Sequence, residues 1–473
     1  MYLYNNDIRE GIIMFIGRER EVKELKEAYA SDCFEAVLIY GRRRIGKSEI
    51  IKESLKDKKG CVIHFECSRT SLDDNLKELT KLTMERLNLP DIRFPSFYAY
   101  LSFVFQKAKE QKIILVIDEF SFLLENNLAI ESDLARAIDL YKNDSKLKIV
   151  LCGSYVNLME KMLEATSHCF GRFTHVLCIR PFDYYDSAKF YPNYTNEDKI
   201  IAYSVFGGVA YFNSLIDTAK SIFENIYDLI IRKDSILELE LTYMILMETS
   251  KISNLNLLIK SIADGYNKYT DIASILKQNK NSRPEYLLKK LIDMDIIETI
   301  VPINDKKNRK RTFYQFKDNL MDFYYRFVFG SRYSFLRDNP ALFFEKTVKD
   351  NFFEKYIPAK FETISKEFLI RKNFLGEINP PFMDIGTYSF NDKTKKINRQ
   401  FDLVTLDEKG YIAYECKYKT SPIDHRVVNE ETRQTASLEN MTFYKLGFIS
   451  KSGFTDDIDR TKYNCFSLSD FYE

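Results

Sequence analysis

The chain has 473 residues, 45% of them hydrophobic, and its 70 basic and 69 acidic side chains leave a formal net charge of +1. This length exceeds what one hydrophobic core supports and predicts roughly three domains. The balanced charge excludes a global field that would draw the protein to nucleic acid or to a membrane surface, so binding of that kind must come from local patches.

The eight cysteines form no Cys-x-x-Cys pair, and no His/Cys cluster has the spacing of a zinc site. This pattern predicts reduced thiols in a cytoplasmic protein, without a disulfide framework or a structural metal. The sequence contains no membrane-spanning stretch and no signal peptide, so no membrane partner is expected.

The first motif in chain order is the loop "GRRRIGKS". The apolar run "EAVLIY" before it predicts a buried strand, and "SEIIKESLKD" at its end predicts a helix. The spacing is that of a Walker A loop, in which backbone N–H groups cradle phosphates, the lysine reaches the β- and γ-phosphates and the serine ligates Mg²⁺. The residues with these roles are Gly41, Gly46, Lys47 and Ser48. The sequence therefore predicts a site for ATP and Mg²⁺.

The variable positions of this loop are Arg42, Arg43, Arg44 and Ile45. They belong to the nucleotide-binding loop through their backbone, because side chains at such positions tend to point away from the phosphates. The three arginines can form a solvated or salt-bridged cluster, or they can contribute to a nucleic-acid or partner surface. Both interpretations stay open.

Two further apolar runs predict strands that end in polar residues. "KIILVIDEF" ends at Asp118 and Glu119, which as a Walker B pair would hold Mg²⁺ and polarise the attacking water. The alternative is an ordinary acidic turn, and the Walker A loop upstream favours the functional interpretation. "KIVLCGS" ends at Ser154, which either reaches the same phosphate or caps its strand.

Six segments together resemble the archaeal and bacterial DEXX-box ATPases, which belong to the AAA+/STAND side of the P-loop NTPases. They are "FIGRERE", "GRRRIGKS", "LVIDEF", "CGSYVNLME", "FGRF" and "FGGVAYF". The resemblance covers nearly the whole chain. It implies that Arg18 and Glu19 flank the nucleotide base, that Ser154 is a sensor and that Arg172 approaches the γ-phosphate as a sensor or finger.

The chain departs from this family at one turn and extends beyond its usual start. The family's Gly-Gly-x-Pro turn is here Gly207-Gly208-Val209-Ala210, which lacks the fixed φ of proline. Family members commonly begin at a position that matches Met14, so residues 1–13 are expected to be a leader outside the fold.

The expected fold class is α/β, with a P-loop AAA+-like parallel sheet, a helical lid, a winged helix-turn-helix and a C-terminal α/β nuclease-like domain with a mixed sheet. The expected boundaries are 14–190 for the ATPase core, 191–250 for the lid, 251–330 for the winged helix and 331–473 for the nuclease-like domain.

The winged helix is predicted from three short helical patterns followed by two strands around "NDKKNRKR". Thr270 and Ser282 are candidate N-caps, and Pro284 fits the first turn of the third helix. The tip of the wing is basic, with Lys306, Lys307, Arg309, Lys310 and Arg311. It can contact a duplex backbone, or the module can serve only in packing between domains.

The C-terminal segment from Arg399 to Lys419 predicts two strands joined by a turn. Asp402 followed by Glu415-x-Lys417 is the constellation of PD-(D/E)XK nucleases, in which two carboxylates bind Mg²⁺ and the lysine orients water. Glu362 is the candidate upstream acidic ligand. A charged surface hairpin is the alternative. The resembled family often carries such a domain, but its usual acidic residue two before the aspartate is here Gln400.

These features predict an ATP-hydrolysing switch that controls a nuclease-like or DNA-binding C-terminal half, in DNA processing or defence. ATP and Mg²⁺ are the expected cofactors, and double-stranded DNA and self-association are the candidate partnerships. The competing hypothesis is a regulatory scaffold whose nuclease-like domain has lost catalysis.

Overall fold

The computed structural model describes residues 15–58, 60–125, 127, 129–248, 252–277, 283–306, 312–392, 397–436 and 443–473. The chain divides into two compact units, the first ending at Arg180 and the second beginning at Pro181. The division into four domains stays a prediction within this frame.

The first unit is an α/β layer structure. Its helices are α1 (Glu19–Ala30), α2 (Lys47–Leu55), α3 (Leu72–Leu87), α4 (Phe97–Glu110), α5 (Ser121–Leu124), α6 (Ala129–Tyr141) and α7 (Val156–Lys161). Its strands are β1 (Glu35–Tyr40), β2 (Cys61–Glu66), β3 (Ile113–Asp118), β4 (Lys148–Gly153) and β5 (His175–Cys178).

These five strands form a parallel sheet in the order β2-β3-β4-β1-β5. Strands β3 and β4 are buried along their whole length, which is why their sequences are continuous apolar runs. The predicted parallel sheet is confirmed. The sequence analysis missed β2 and β5, which are the edge strands and are only partly buried. Because carboxyl ends of parallel strands share one edge, the segments after β1, β3 and β4 meet there, with β4 in the middle.

The second unit combines a helical part with two sheets. Its helices are α8 (Tyr184–Ser187), α9 (Asn196–Phe206), α10 (Ala210–Ser214), α11 (Ile222–Ile226), α12 (Ile236–Glu248), α13 (Ile252–Ala263), α14 (Tyr269–Lys277), α15 (Pro284–Asp293), α16 (Asn319–Phe323), α17 (Pro340–Phe343), α18 (Lys349–Asn351), α19 (Ile357–Phe374) and α20 (His425–Ala436). Its strands are β6 (Ile297–Ile300), β7 (Phe313–Phe316), β8 (Asp384–Asp392), β9 (Ile397–Asp407), β10 (Gly410–Lys417), β11 (Phe443–Ser450) and β12 (Asn464–Ser467).

The turn that lacks the family's proline connects α9 to α10. Gly207 has a φ of 64°, and a Cβ on Gly208 would lie 1.8 Å from the carbonyl oxygen of Phe182, so neither position accepts a side chain without strain. The buried amide of Asn213 donates to the carbonyls of Gly207 and Val209 at 2.8 and 3.0 Å. These hydrogen bonds hold the turn in place of a fixed proline φ.

Helices α13, α14 and α15 precede the antiparallel pair β6–β7, in the order that the winged-helix prediction requires. Pro284 is the first residue of α15, as predicted. The prediction of Thr270 as an N-cap is wrong, because α14 already begins at Tyr269. Lys268 fixes this start, since it bridges to Phe313 and its carbonyl accepts the N–H of Ile272. Ser282 lies outside the described residues.

The C-terminal sheet has the order β12-β11-β10-β9-β8. Strands β8, β9 and β10 are antiparallel, whereas β10, β11 and β12 are parallel, so the predicted mixed sheet is confirmed. Helix α19 packs against β8, β9 and β10, and α20 packs against β11. Among the described residues, no helix is both long enough and apolar enough to cross a bilayer.

Candidate functional site

The backbone of the phosphate loop has a close contact at one end and positive φ angles at two positions. A Cβ on Gly41 would lie 2.2 Å from the carbonyl oxygen of Ile179, so the backbone just after β5 leaves room only for glycine at this position. Gly46, with a φ of 99°, precedes α2, and Arg44 also has a positive φ, of 65°. The loop therefore curls into the N-terminus of α2, where N–H groups and the helix dipole favour an anion.

Lys47 is held at the centre of this edge of the sheet. Its buried ammonium donates to the carbonyls of Gly41 and Arg42, both at 3.0 Å, and to the hydroxyl of Ser154 at 2.9 Å. The lysine therefore links the loop after β1 to the end of β4.

The residues that can hold a magnesium ion lie beside it. The Ser48 hydroxyl donates to the Asp118 carboxylate at 2.6 Å, and the other Asp118 oxygen accepts the N–H of Glu119 at 2.9 Å. A hydroxyl and a carboxylate oxygen are the hard ligands that Mg²⁺ takes beside phosphate oxygens and water. The residues present thus fit the ion.

Glu119 presents one carboxylate oxygen to Ser154 and keeps the other apart. Its Oε1 accepts the Ser154 hydroxyl hydrogen at 2.7 Å. Its Oε2 is buried and has no hydrogen-bond partner within the described residues. The backbone φ of Glu119 is 49°, which is unusual for a residue other than glycine, and it turns the chain away from the direction of β3. Ser154 therefore bridges Lys47 and Glu119 rather than capping its own strand.

Arg172, which the resemblance implies to be a sensor or finger at the γ-phosphate, makes other contacts in the structure. Its guanidinium donates to both carboxylate oxygens of Asp139, at 3.1 and 2.6 Å, and to the carbonyls of His168 and Phe170. Hydrogen bonding to Asp139 raises the pKa of Arg172. This bidentate pair ties the residue to α6, and a role at the γ-phosphate stays a prediction.

The two residues implied for the base differ in environment. Arg18, just before α1, donates to Glu21 at 3.3 Å and to the carbonyl of Arg180. Glu19 is exposed. Their contact with a base stays a prediction.

The loop's variable side chains point in different directions. Arg42 and Ile45 are buried and Arg44 is exposed, whereas Arg43 reaches the Tyr155 hydroxyl at 3.5 Å. Tyr155 also accepts a hydrogen bond from Arg69. The sequence analysis missed both residues: Arg69 lies outside the quoted segments, and Tyr155 lies inside "CGSYVNLME" but was given no role. Their positions shortly after strands were the available signal.

In the second unit, β9 and β10 bring the nuclease-like residues together. Tyr414 pairs with Leu403, so Asp402 and Glu415 are the next residues on the two antiparallel strands. Lys417 forms an ion pair with Glu415. Burial alone would lower the pKa of Lys417, but the neighbouring carboxylates raise it, first Glu415 and then Glu431 of α20, which the sequence analysis missed.

Glu362 of α19 faces the same group of charges. Its pKa is raised to about 8, first by burial and then by the charges of Asp402 and Glu415, while Lys417 opposes the shift. The four sequence-predicted residues thus share one electrostatic environment. A carboxyl so close to two others favours its protonated form unless a cation neutralises the cluster.

Within the described residues, no three His, Cys, Asp or Glu side chains are arranged so that they could hold a metal ion. The set of Glu362, Asp402 and Glu415 is therefore not preformed as a three-carboxylate metal site, and Lys417 occupies one oxygen of Glu415. The side chain of Gln400 lies outside the described part of the chain.

The base of the predicted wing contacts β8. The N–H of Ile303 donates to the Thr387 carbonyl at 2.8 Å, and Lys306 pairs with Asp384 at 2.5 Å. These contacts support a packing role for this segment. The other basic residues of the tip, Lys307, Arg309, Lys310 and Arg311, lie outside the described residues.

Two family matches cover separate parts of the chain. Residues 15–212 match a family described as an ATPase domain predominantly from Archaea. Residues 324–434 match a family described as archaeal and bacterial proteins of unknown function. Residues 15–212, which include the loop and the Asp118–Glu119 pair, are thus similar to ATPase domains found predominantly in Archaea.

Two similar proteins come from Methanocaldococcus jannaschii. One uncharacterized protein is 28% identical over 410 residues, which cover 86% of this chain and 88% of that protein. An uncharacterized ATP-binding protein is 39% identical over 49 residues, or 10% of this chain and 83% of that protein.

Similar solved structures include the following two. The Walker-type ATPase of Pyrococcus abyssi has a TM-score of 0.46 at 18% identity, over 66% of this chain and 96% of that chain. The ORC2 protein of Aeropyrum pernix, in complexes with ADPNP and ADP, has a TM-score of 0.48 at 15% identity, over 71% of this chain and 96% of that chain.

Proposed function

We propose that the chain is an ATP-hydrolysing molecular switch whose nucleotide state controls a nuclease-like or DNA-binding C-terminal half. The observation that carries the proposal is the continuous hydrogen-bonded path from Lys47 through Ser154 to Glu119. Through Ser154, it places the phosphate-contacting lysine and the candidate water-activating carboxylate at one site, where an in-line displacement at the γ-phosphate needs both charge neutralisation and an oriented water.

Each residue has a separate task in this reaction. Backbone N–H groups of the loop bind the phosphates, and Lys47 neutralises the β- and γ-phosphate oxygens. Ser48 and Asp118 would hold Mg²⁺, which would supply positive charge that offsets the charge of the phosphates. The buried Oε2 of Glu119 orients the attacking water and accepts its proton, while Ser154 fixes the other oxygen.

A loss of function at the lysine tests this proposal. Lys47→Ala should abolish Mg²⁺-dependent ATP hydrolysis, measured as phosphate release, because it removes the ammonium that neutralises the β- and γ-phosphates. Lys52→Ala on the same helix is the matched control, since Lys52 is exposed and pairs with Glu49 at 2.7 Å. Equal loss in both variants, or hydrolysis by Lys47→Ala at the parent rate, would contradict the proposal.

A second candidate function is an ATP-regulated scaffold with an inactive nuclease-like domain. The pairing of Lys417 with Glu415, and the lack of a preformed three-carboxylate site within the described residues, favour it. Plasmid nicking with Mg²⁺ or Mn²⁺, with and without ATP, separates the two candidates. Metal-dependent nicking supports the nuclease, and its absence under all conditions supports the scaffold.

A further inference from the structure

Two arginines converge on one tyrosine beside the phosphate loop. Arg43 follows β1 and donates to the Tyr155 hydroxyl at 3.5 Å, and Arg69, which follows β2, donates to the same oxygen. The two guanidinium carbons lie 5.5 and 5.6 Å from the centre of the Tyr155 ring. Since the three residues follow three strands of one parallel sheet, they share its carboxyl edge.

The cluster has an aromatic and an acidic side. The Phe122 ring packs edge-on against Tyr155 at 5.8 Å and lies 5.4 Å from the Arg69 guanidinium. Glu125 lies 3.8 Å from Arg69, and these two side chains are 42% and 44% exposed, so water screens their attraction. The guanidinium groups of Arg43 and Arg69 both lie at Tyr155, so two positive charges are close together. A single anion that contacts both would stabilise this arrangement.

The chemistry of the cluster suits a phosphate. Guanidinium groups present planar pairs of N–H donors that match phosphate oxygens, and arginine stays charged at every physiological pH. The Tyr155 hydroxyl accepts from both arginines and can donate its own hydrogen to a further acceptor. Arg43, Arg69 and Tyr155, which follow three different strands, can thus all donate hydrogen bonds to one phosphate group.

The position of this cluster next to the nucleotide site indicates which phosphate group it would bind. Tyr155 directly follows Ser154, whose hydroxyl contacts both Lys47 and Glu119. The cluster therefore lies next to the end of the loop where the terminal phosphate of ATP is expected. We propose that Arg43 and Arg69, gathered by Tyr155, form a second phosphate-binding site that contacts the γ-phosphate of ATP, so that the domain distinguishes ATP from ADP. This inference rests on the proposed function.

The test compares nucleotide affinities of the full chain by calorimetry. Arg69→Ala should weaken ATP binding about tenfold, the effect expected for losing one charge-assisted hydrogen bond, and should leave ADP binding unchanged. Tyr155→Phe keeps the ring but removes the hydroxyl, so it should reduce the ratio of ATP to ADP affinity by a smaller factor. Arg93→Ala, at an exposed arginine in the loop after α3, is the matched control.

A second arm asks whether the phosphate comes from nucleic acid. A short single-stranded oligonucleotide is titrated, without nucleotide, against the parent chain and Arg69→Ala. Weaker oligonucleotide binding with an unchanged ratio of ATP to ADP affinity would show that the cluster takes a backbone phosphate and would overturn the γ-phosphate assignment. An unchanged ratio and unchanged oligonucleotide binding would overturn the phosphate site altogether. If Lys47→Ala also binds ATP like the parent, the proposed function itself fails.

Discussion

The two candidate sites of this chain differ in how their charges are organised. In the first unit, Lys47, Ser154 and Glu119 form a hydrogen-bonded path on a loop whose backbone already curls around an anion site. In the second unit, the acidic groups of Glu362, Asp402 and Glu415 share one electrostatic environment, and Lys417 pairs with Glu415. The first site is organised before a ligand arrives, whereas the second, within the described residues, is not arranged to hold a metal ion.

This difference follows from the groups that each site uses. Backbone N–H groups are fixed by the fold and carry no net charge, so a phosphate loop costs little electrostatic energy when it is empty. In the second site, burial and then the charges of Asp402 and Glu415 raise the pKa of Glu362, so its charged form is costly in the absence of a cation. Variants of the two sites should therefore fail in different ways.

The largest effect is expected at Glu119. Glu119→Gln should slow ATP hydrolysis by about 10²- to 10⁴-fold, the usual contribution of a general base. Nucleotide binding should persist, because the amide oxygen can still accept the Ser154 hydroxyl. Single-turnover hydrolysis and calorimetric binding measure the two quantities separately. Hydrolysis at the parent rate would show that Glu119 is not the base.

The next effect is the loss of any nuclease activity in Asp402→Ala. Metal-dependent nicking of plasmid should fall to the level of the buffer control, because one of the three candidate metal ligands is removed. ATP hydrolysis should stay almost intact, since the two sites lie in different units. Nicking that survives in Asp402→Ala would assign it to other residues. If the parent chain does not cleave, Gln400→Glu is the variant in which cleavage should be sought.

A buried carboxyl away from both sites gives a smaller, pH-dependent effect. Burial raises the pKa of Glu367 from 4.5 to about 7, although the Tyr184 N–H and the Tyr203 hydroxyl donate to it at 3.1 and 3.0 Å. The folded chain therefore binds this proton more tightly than the unfolded chain. The resulting stabilisation is complete below about pH 4.5 and is lost as the pH rises through about 7.

Glu367→Gln should remove this pH dependence. Between pH 5 and pH 8, the parent chain should lose on the order of 3 kcal/mol of unfolding free energy through this group, and the variant should not. Urea unfolding at the two pH values measures the difference, with Glu354→Gln at an exposed position of the same unit as the control. Equal pH dependence in parent and Glu367→Gln would show that the carboxyl does not titrate in this range.

The smallest effect concerns the wing. If its tip contacts duplex phosphates, replacing Lys306 and Lys307 by alanine should weaken binding alike for all sequences and reduce the slope of log K against log salt by about two. Lys77 and Lys81, exposed on α3, provide the matched double variant. An unchanged slope would assign the wing to packing, as the pairing of Lys306 with Asp384 suggests.

The sequence by itself determined the strands and the chemistry of the first site. Buried parallel strands are continuous apolar runs, so β1 and β4 were predicted from their first residues, and the Walker spacing named Lys47, Ser48 and Asp118. It also predicted β9 and β10, because the turn from Asp407 to Gly410 interrupts a charged, alternating pattern. These signals lie within short stretches of sequence, so they can be recognised without knowledge of the fold.

Only the tertiary structure decided which of these residues meet. The strand order places β4 between β1 and β3, and this is why Ser154 reaches both Lys47 and Glu119. The same edge brings Arg69 to Tyr155 across 86 positions of sequence, whereas Arg172 is bound by Asp139 instead. Strand order and side-chain pairing depend on how distant elements pack together, and no local pattern of residues encodes that packing.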